Sequence, residues 1–148
     1  ELNNRLALMA NLGWQDWSRF GRVDVSVSSD TPNSLTTDLD YDDTWHVALG
    51  ADYRISDAWR LTGGVAYDSA MLDDDEVTPA LPVGETWRFG LGTSYAWSPD
   101  VSLSGSYELA WSGDIDMDVQ RGPLAGRVSG TYEDAAIHVV SMAIEWRF

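Results

Sequence analysis

Side-chain character alternates with period two through most of this chain, and one of the two alternating faces carries no formal charge. Period two is the repeat of a β-strand, whose successive side chains point to opposite sides of a sheet. Six segments carry it, roughly 5–29, 42–55, 59–70, 85–97, 101–120 and 127–148. None of them has apolar residues at helical spacing, and glycines fall inside the patterned stretches. The sequence therefore predicts an all-β chain.

The identity of the two faces narrows the class further. One face reads Leu6, Leu8, Leu12, Trp14, then Trp45, Val47, Leu49, Tyr53, Ile55, and later Trp87, Phe89, Leu91, Tyr95, Trp97. The opposite face reads Arg5, Met9, Asn11, His46, Asp52, Arg54, Arg60, Thr62, Asp68, Arg88, Ser94, Ser104, Glu108, Val139, Glu145 and Arg147, with Gly and Ala between. A soluble sandwich hides its aliphatic face and tolerates charge on the other, with no reason to reserve aromatic rings for one side. A charge at the bilayer midplane on the lipid face of a barrel costs roughly 2–4 kcal/mol. Exclusion of charge over six strands is what that penalty predicts, and it predicts a transmembrane antiparallel β-barrel.

Aromatic positions agree with that reading. Tyr53, Trp59, Tyr95, Trp97 and Trp146 lie near short connections, whereas Trp45, Tyr67, Trp87 and Trp111 lie toward long ones. Trp45 to Tyr53, Trp59 to Tyr67 and Trp87 to Tyr95 share a spacing of eight residues. At about 3.3 Å per residue and about 40° of tilt, this spans on the order of 20 Å, the separation of two interfacial girdles. The short connections are Ser56-Asp57-Ala58 and Ser98-Pro99-Asp100; the long ones cover roughly 30–41, 71–84 and 121–126. Tight turns at one end and long loops at the other put the turns in the periplasm and the loops outside the cell. In the first segment the apolar parity changes from even (Trp14) to odd (Val23, Val25), which predicts a bulge between Gln15 and Arg22, near Gly21.

Composition removes other classes. The 148 residues contain no Cys, and they set nine Arg against 24 Asp and Glu, for a formal net charge of −15. That excludes a disulfide framework, a thiolate metal site and a basic nucleic-acid-binding surface. A mean hydropathy of −0.24, with no apolar run approaching eighteen residues, excludes a transmembrane helix but is ordinary for strands with one apolar face.

At this point the residues resemble a known family. Arg5-Leu6-Ala7-Leu8 through Trp14-Gln15-Asp16-Trp17-Ser18-Arg19-Phe20 resembles a strand with a W-x-x-W-S-x-F-like signature in the FadL-type fatty acid transporters of Gram-negative outer membranes. Trp45 through Tyr53, with Trp59 through Ser69, is similar to the family's strand pair ending in Tyr/Phe-Asp-x-Ser, and Leu81-Pro82 followed by Trp87 through Tyr95 to its next strand. The terminal Trp146-Arg147-Phe148 fits the aromatic end read by the barrel assembly machinery. Ala70 and Val83-Gly84-Glu85-Thr86 depart from the family pattern. The resemblance implies a fourteen-stranded barrel plugged by an N-terminal hatch. This chain is then a single unit of about six strands, the C-terminal portion, with the hatch and earlier strands absent. It also implies residence in the outer membrane, with its lipid and lipopolysaccharide as neighbours, and passive uptake of long-chain fatty acids or other hydrophobic compounds. Substrate would be captured in an extracellular groove, passed to a lumen site and released laterally under control of the hatch.

Candidate site residues follow from the polar face. Met9, Asn11, Arg54, Arg60, Arg88, Glu108, Val139 and Glu145 are expected to line the lumen. Its Arg5, Arg54, Arg60, Arg88 and Arg147 face Asp52, Asp68, Glu108 and Glu145 either as a structural ladder of paired charges or, at Arg54 and Arg60, as a contact for a ligand carboxylate. The acidic runs Asp38–Asp43, Asp73–Glu76 and Asp114–Asp118 read as a solvated extracellular rim, since none has the calcium-loop register. His46 and His138 have no Asp or Cys at ligand spacing, so no metal, cofactor or catalytic residue is expected. The residues alone also leave room for a small surface or adhesion barrel whose acidic loops bind divalent ions or a partner, and for a soluble β-domain.

Overall fold

The structure is a computed structural model, describing residues 4–18, 41–73, 77, 82–120 and 126–148. Its strands are β1 (Leu6–Gln15), β2 (Thr44–Arg54), β3 (Trp59–Asp68), β4 (Thr86–Ser98), β5 (Val101–Gln120) and β6 (Arg127–Trp146). They form one six-stranded sheet in which each strand pairs antiparallel with its sequence neighbours. Two turns are tight. Between β2 and β3 the amides of Ile55 and Ser56 donate to the Trp59 carbonyl (2.9 and 3.2 Å), and the Ser56 hydroxyl accepts from the Trp59 amide (3.1 Å). Between β4 and β5 the Ser98 hydroxyl accepts from the amides of Asp100 and Val101 (3.3 and 3.1 Å).

The register sorts the faces as the alternation requires. Tyr67 pairs with Trp87 and Trp87 with Trp111, a row of aromatics across three strands. The Tyr67 and Trp87 rings stand 5.0 Å apart. At the other end Trp59 meets Tyr95 edge-on at 5.9 Å and Tyr95 meets Trp97 at 6.3 Å. Between these rows Leu49, Leu91 and Met142 are exposed, Met142 by 86%. Apolar side chains left this open define a face that meets hydrocarbon, where burial against lipid replaces a protein core.

One expectation needs correction. The period-two pattern carries the first strand to residue 29, but β1 ends at Gln15. There the ladder gives way to side-chain hydrogen bonds, Trp17 Nε1 donating to Gln15 Oε1 and Ser18 Oγ to Asp16 Oδ1 locally, and the Ser18 amide to Asp43 Oδ1 ahead of β2. The Ser18 amide thus bonds a side chain rather than a strand partner. The expected bulge near Gly21, with residues 19–29, lies outside the described residues. Among the described residues the register is irregular at Ala96/Ser98 and around Gly113. Gly113 has φ 65° and Asp134, on the facing strand, φ 50°. The left-handed region suits Gly and is tolerated by Asp, here held by its amide donating to the Asp114 carboxylate at 2.9 Å.

Strands β1 to β3 have 10 or 11 residues, enough for one tilted crossing, whereas β5 and β6 have 20 each. Their surplus lies beyond Trp111, outside the bilayer. Leu72, Val77, Ile115 and Met117 are buried there, with Tyr41, Val83, Val119 and Val128 packed around them. The buried core of the described residues thus sits outside the membrane, where water is present to drive it.

Leu91 lies midway between the aromatic rows. Leu91→Arg in the full-length protein is expected to cost roughly 2–4 kcal/mol of stability in urea unfolding from bilayers, and Ser104→Arg on the other face under about 1 kcal/mol.

Candidate lumen site

The polar face of the sheet is floored by small residues. Ala48, Gly50, Gly64, Ala66, Gly90 and Gly92 occupy successive even positions on β2, β3 and β4. Gly64 is there because the backbones approach closely: a Cβ on it would stand 3.0 Å from the Leu49 carbonyl oxygen. Above this floor lies a trough of about 480 Å³ whose walls include Met9, Asn11, Arg88 and Glu108. Met9 also borders a second concavity of about 460 Å³, lined by Arg5, Asp52, Arg54 and Arg60. A third, of about 750 Å³, brings Arg54 and Arg60 together with Glu145 and Arg147. Val139 pairs directly with Glu108 and so shares its face. All eight residues singled out on the polar face thus sit on one side of the sheet. Met9, Asn11, Arg88 and Glu108 gather around the small-residue floor, Val139 lies beside Glu108 on the next strand, and Arg54, Arg60 and Glu145 lie toward the tight turns.

Charge on this face is partly paired. Arg60 Nε stands 3.6 Å from Asp52 Oδ1, and Arg147 Nη2 stands 3.3 Å from Glu145 Oε1. Asp68 is shared: its Oδ1 lies 2.7 Å from His46 Nδ1 and its Oδ2 lies 3.3 Å from Arg88 Nε. The Arg88 contact is an ion pair without hydrogen-bond geometry, since Oδ2 is buried and receives no hydrogen bond. No Asp or Cys stands at ligand spacing from His46 along the chain. Antiparallel pairing places it directly opposite Asp68, 22 residues on. The signal was in the sequence, because the two residues are equidistant from Asp57 in the turn that sets the register. His138 lies on the lipid face, where its Nδ1 shares a hydrogen bond with the Tyr107 hydroxyl at 2.7 Å.

Outside the membrane the acids of β5 are bonded across to β6. Asp116 accepts from the Thr131 hydroxyl at 2.7 Å, and Asp118 pairs with Arg127. Hydrogen bonds from the Arg127 guanidinium, with its charge, hold the exposed Asp118 carboxyl below the usual carboxylate range. Of the other acidic runs, residues 38–40 and 74–76 lie outside the described residues.

This arrangement, an uncharged aromatic-bounded face opposite a polar trough, is matched along its whole length. The family model for outer membrane protein transport proteins (OMPP1/FadL/TodX) covers residues 1–148. The chain belongs to that family. The crystal structure of a Pseudomonas aeruginosa FadL homologue superposes with a TM-score of 0.79 at 27% identity, covering 99% of this chain and 33% of that one. Outer membrane protein P1 of Haemophilus influenzae is 28% identical over 107 residues, 72% of this chain and 23% of that protein. The long-chain fatty acid transport protein of Escherichia coli K12 is 26% identical over 98 residues, 66% of this chain and 22% of that protein. The chain therefore spans about a quarter of the length of the curated relatives it matches. As in its FadL-family relatives, its place is the outer membrane, and its six strands are part of a larger barrel.

Removing the acid shared by His46 and Arg88 leaves two polar groups without their partner in the lumen wall of this FadL-family barrel. Asp68→Ala is expected to cost roughly 1–3 kcal/mol in bilayer unfolding, and His46→Ala in that background to add little beyond it. The depressed Asp118 carboxyl makes a pH prediction. Its contribution to the β5–β6 tip is complete above the ordinary carboxylate pKa of about 3.9 and is lost as pH falls through its lower folded value. Amide exchange at the tip should accelerate below that point in the native protein, and Asp118→Asn should flatten the dependence.

Proposed function

We propose that this chain forms the C-terminal wall of a barrel that passively admits hydrophobic compounds, long-chain fatty acids among them, across the outer membrane. The observation that carries the reading is the trough itself: small side chains leave a groove along a face otherwise built from polar groups, and Met9 gives it apolar surface. Met9, Asn11, Arg88, Glu108 and Val139 then line the substrate path, while paired charges such as Asp68 with Arg88 stiffen its wall. The outward face meets membrane lipid and, at its extracellular end, lipopolysaccharide. No residue is assigned a catalytic role, and the members that the family model groups are transport proteins. The fatty acid reading is supported by the Escherichia coli relative, named for that activity. Soluble and adhesion readings lack comparable support, because neither accounts for a face that keeps Met142, Ile144 and Trp146 more than 70% exposed and free of charge.

The test is uptake. Cells lacking their own transporter and given the full-length protein should recover accumulation of a labelled long-chain fatty acid. Failure to restore uptake of a fatty acid or a hydrocarbon, with the barrel folded in the outer membrane, would overturn the proposal.

A further inference from the structure

Between its two aromatic rows the lipid face carries a hydrogen-bonded pair of polar side chains, Tyr107 on β5 and His138 on β6. We infer that this pair is a binding site for an outer-leaflet lipid whose acyl chains carry an oxygen a few carbons below the headgroup, the chemistry of the lipid anchor of lipopolysaccharide. The inference rests on the outer-membrane placement of the chain and is independent of what the barrel transports.

Three observations carry it. The first is the hydrogen-bond inventory. The Tyr107 hydroxyl and His138 Nδ1 stand 2.7 Å apart. If the phenol donates, the imidazole keeps the hydrogen on Nε2; if Nδ1 donates, the phenol keeps its own. Either way one donor hydrogen is left over, and no acceptor for it stands among the described residues. By contrast the Thr93 hydroxyl, on the same face, donates to the Arg60 carbonyl at 3.1 Å and needs nothing from lipid. A donor left in hydrocarbon is costly unless the lipid brings an acceptor to it. The second observation is depth. His138 stands opposite Leu109, two residues below Trp111 of the extracellular aromatic row. At about 3.3 Å per residue and about 40° of tilt, that is about 5 Å beneath the row. The ester carbonyls of an ordinary phospholipid lie near the level of the row, where interfacial aromatics sit. An oxygen carried on the acyl chain lies deeper, at the level of the pair.

The third observation is charge. The chain has no Lys, and its described arginines lie on the polar face (Arg5, Arg54, Arg60, Arg88, Arg147) or beyond the membrane (Arg127). A lipid phosphate therefore meets no guanidinium or ammonium on the described lipid face, and recognition there falls to a neutral oxygen. Both members of the pair are open to it, since His138 is exposed and Tyr107 is 40% exposed. Ala136, the outward residue above His138 on β6, is small, so a chain descending from the headgroup reaches the imidazole past it.

The test titrates the full-length protein, carrying isotope-labelled histidine in phosphatidylcholine bilayers, with lipid A and separately with phosphatidylglycerol, which brings an anionic phosphate but unsubstituted acyl chains. The imidazole nuclear magnetic resonance signal lost in His138→Leu identifies His138. Lipid A is expected to shift that signal and phosphatidylglycerol to leave it in place. Tyr107→Phe with His138→Leu, shown to be folded by heat-modifiable migration, should retain roughly 3- to 10-fold less lipid A per barrel through detergent exchange. A shift with both lipids or with neither overturns the inference, as does unchanged lipid A retention in the folded double variant. A shift that grows with protein density at fixed lipid composition overturns it too, and assigns the pair to contact with a second copy. Fatty acid uptake is read separately, and its failure in the wild-type protein overturns the transport proposal while leaving the lipid contact standing.

Discussion

Hydrocarbon cannot hydrogen-bond, and each of this protein's architectural features answers to that fact. A backbone crossing the bilayer has to satisfy its amides and carbonyls between strands, and a side chain facing lipid cannot carry charge without a cost of several kcal/mol. The first demand produces the antiparallel pairing of every strand with its neighbour from β1 to β6. The second produces the charge-free face of Leu49, Leu91 and Met142 and confines the charges to the other side of the sheet or to its ends. The same demand explains why six strands do not close the account. The outer edges of β1 and β6 need partners, which is consistent with their matching a third of a longer FadL homologue.

Inside the barrel the rule is relaxed, and the sequence uses that freedom. Charges are allowed, so Asp68 can draw in both His46 and Arg88, and Glu145 can meet Arg147. Small residues are also allowed, because no core has to be filled there. A Gly or Ala at alternate positions of β2, β3 and β4 would be a packing defect in a soluble sandwich. Here it widens the lumen, and it costs little because the opposite face supplies the burial.

How far the sequence reveals this depends on how local the cause is. Strand parity, the aromatic rows and the two tight turns are each set by residues close in sequence, and all are readable without coordinates. The pairing of His46 with Asp68 was readable too, but only by treating the Asp57 turn as a statement about register rather than as a boundary. The end of β1 was misread because Val23, Val25 and Val27 continue an alternation that Asp16 and Ser18 had already interrupted with their own hydrogen bonds. The irregularity at Gly113 was invisible for a different reason. Trp111 pairs with Ala136 and Ile115 with Tyr132, so the register lost on one side of the glycine is recovered on the other, and parity shows no slip.

That compensation bears on what the extracellular half of β5 and β6 is for. A strand pair that left the bilayer with its lipid-face pattern unchanged would present Ile115, Met117 and Val119 to water. They are covered instead, by Leu72, Val77 and Val83 from the β3–β4 connection and by Tyr41 from the segment leading into β2. Gly84 lies against the same cluster, where a Cβ would be in ordinary contact with the Ile115 side chain at 3.5 Å. The apolar alternation is thus used twice along one strand, against lipid below Trp111 and against protein above it. The left-handed pair Gly113 and Asp134 sits at the changeover. A break in the ladder there lets the outer segment follow the packing of its own cluster, while the strand below remains set by the barrel.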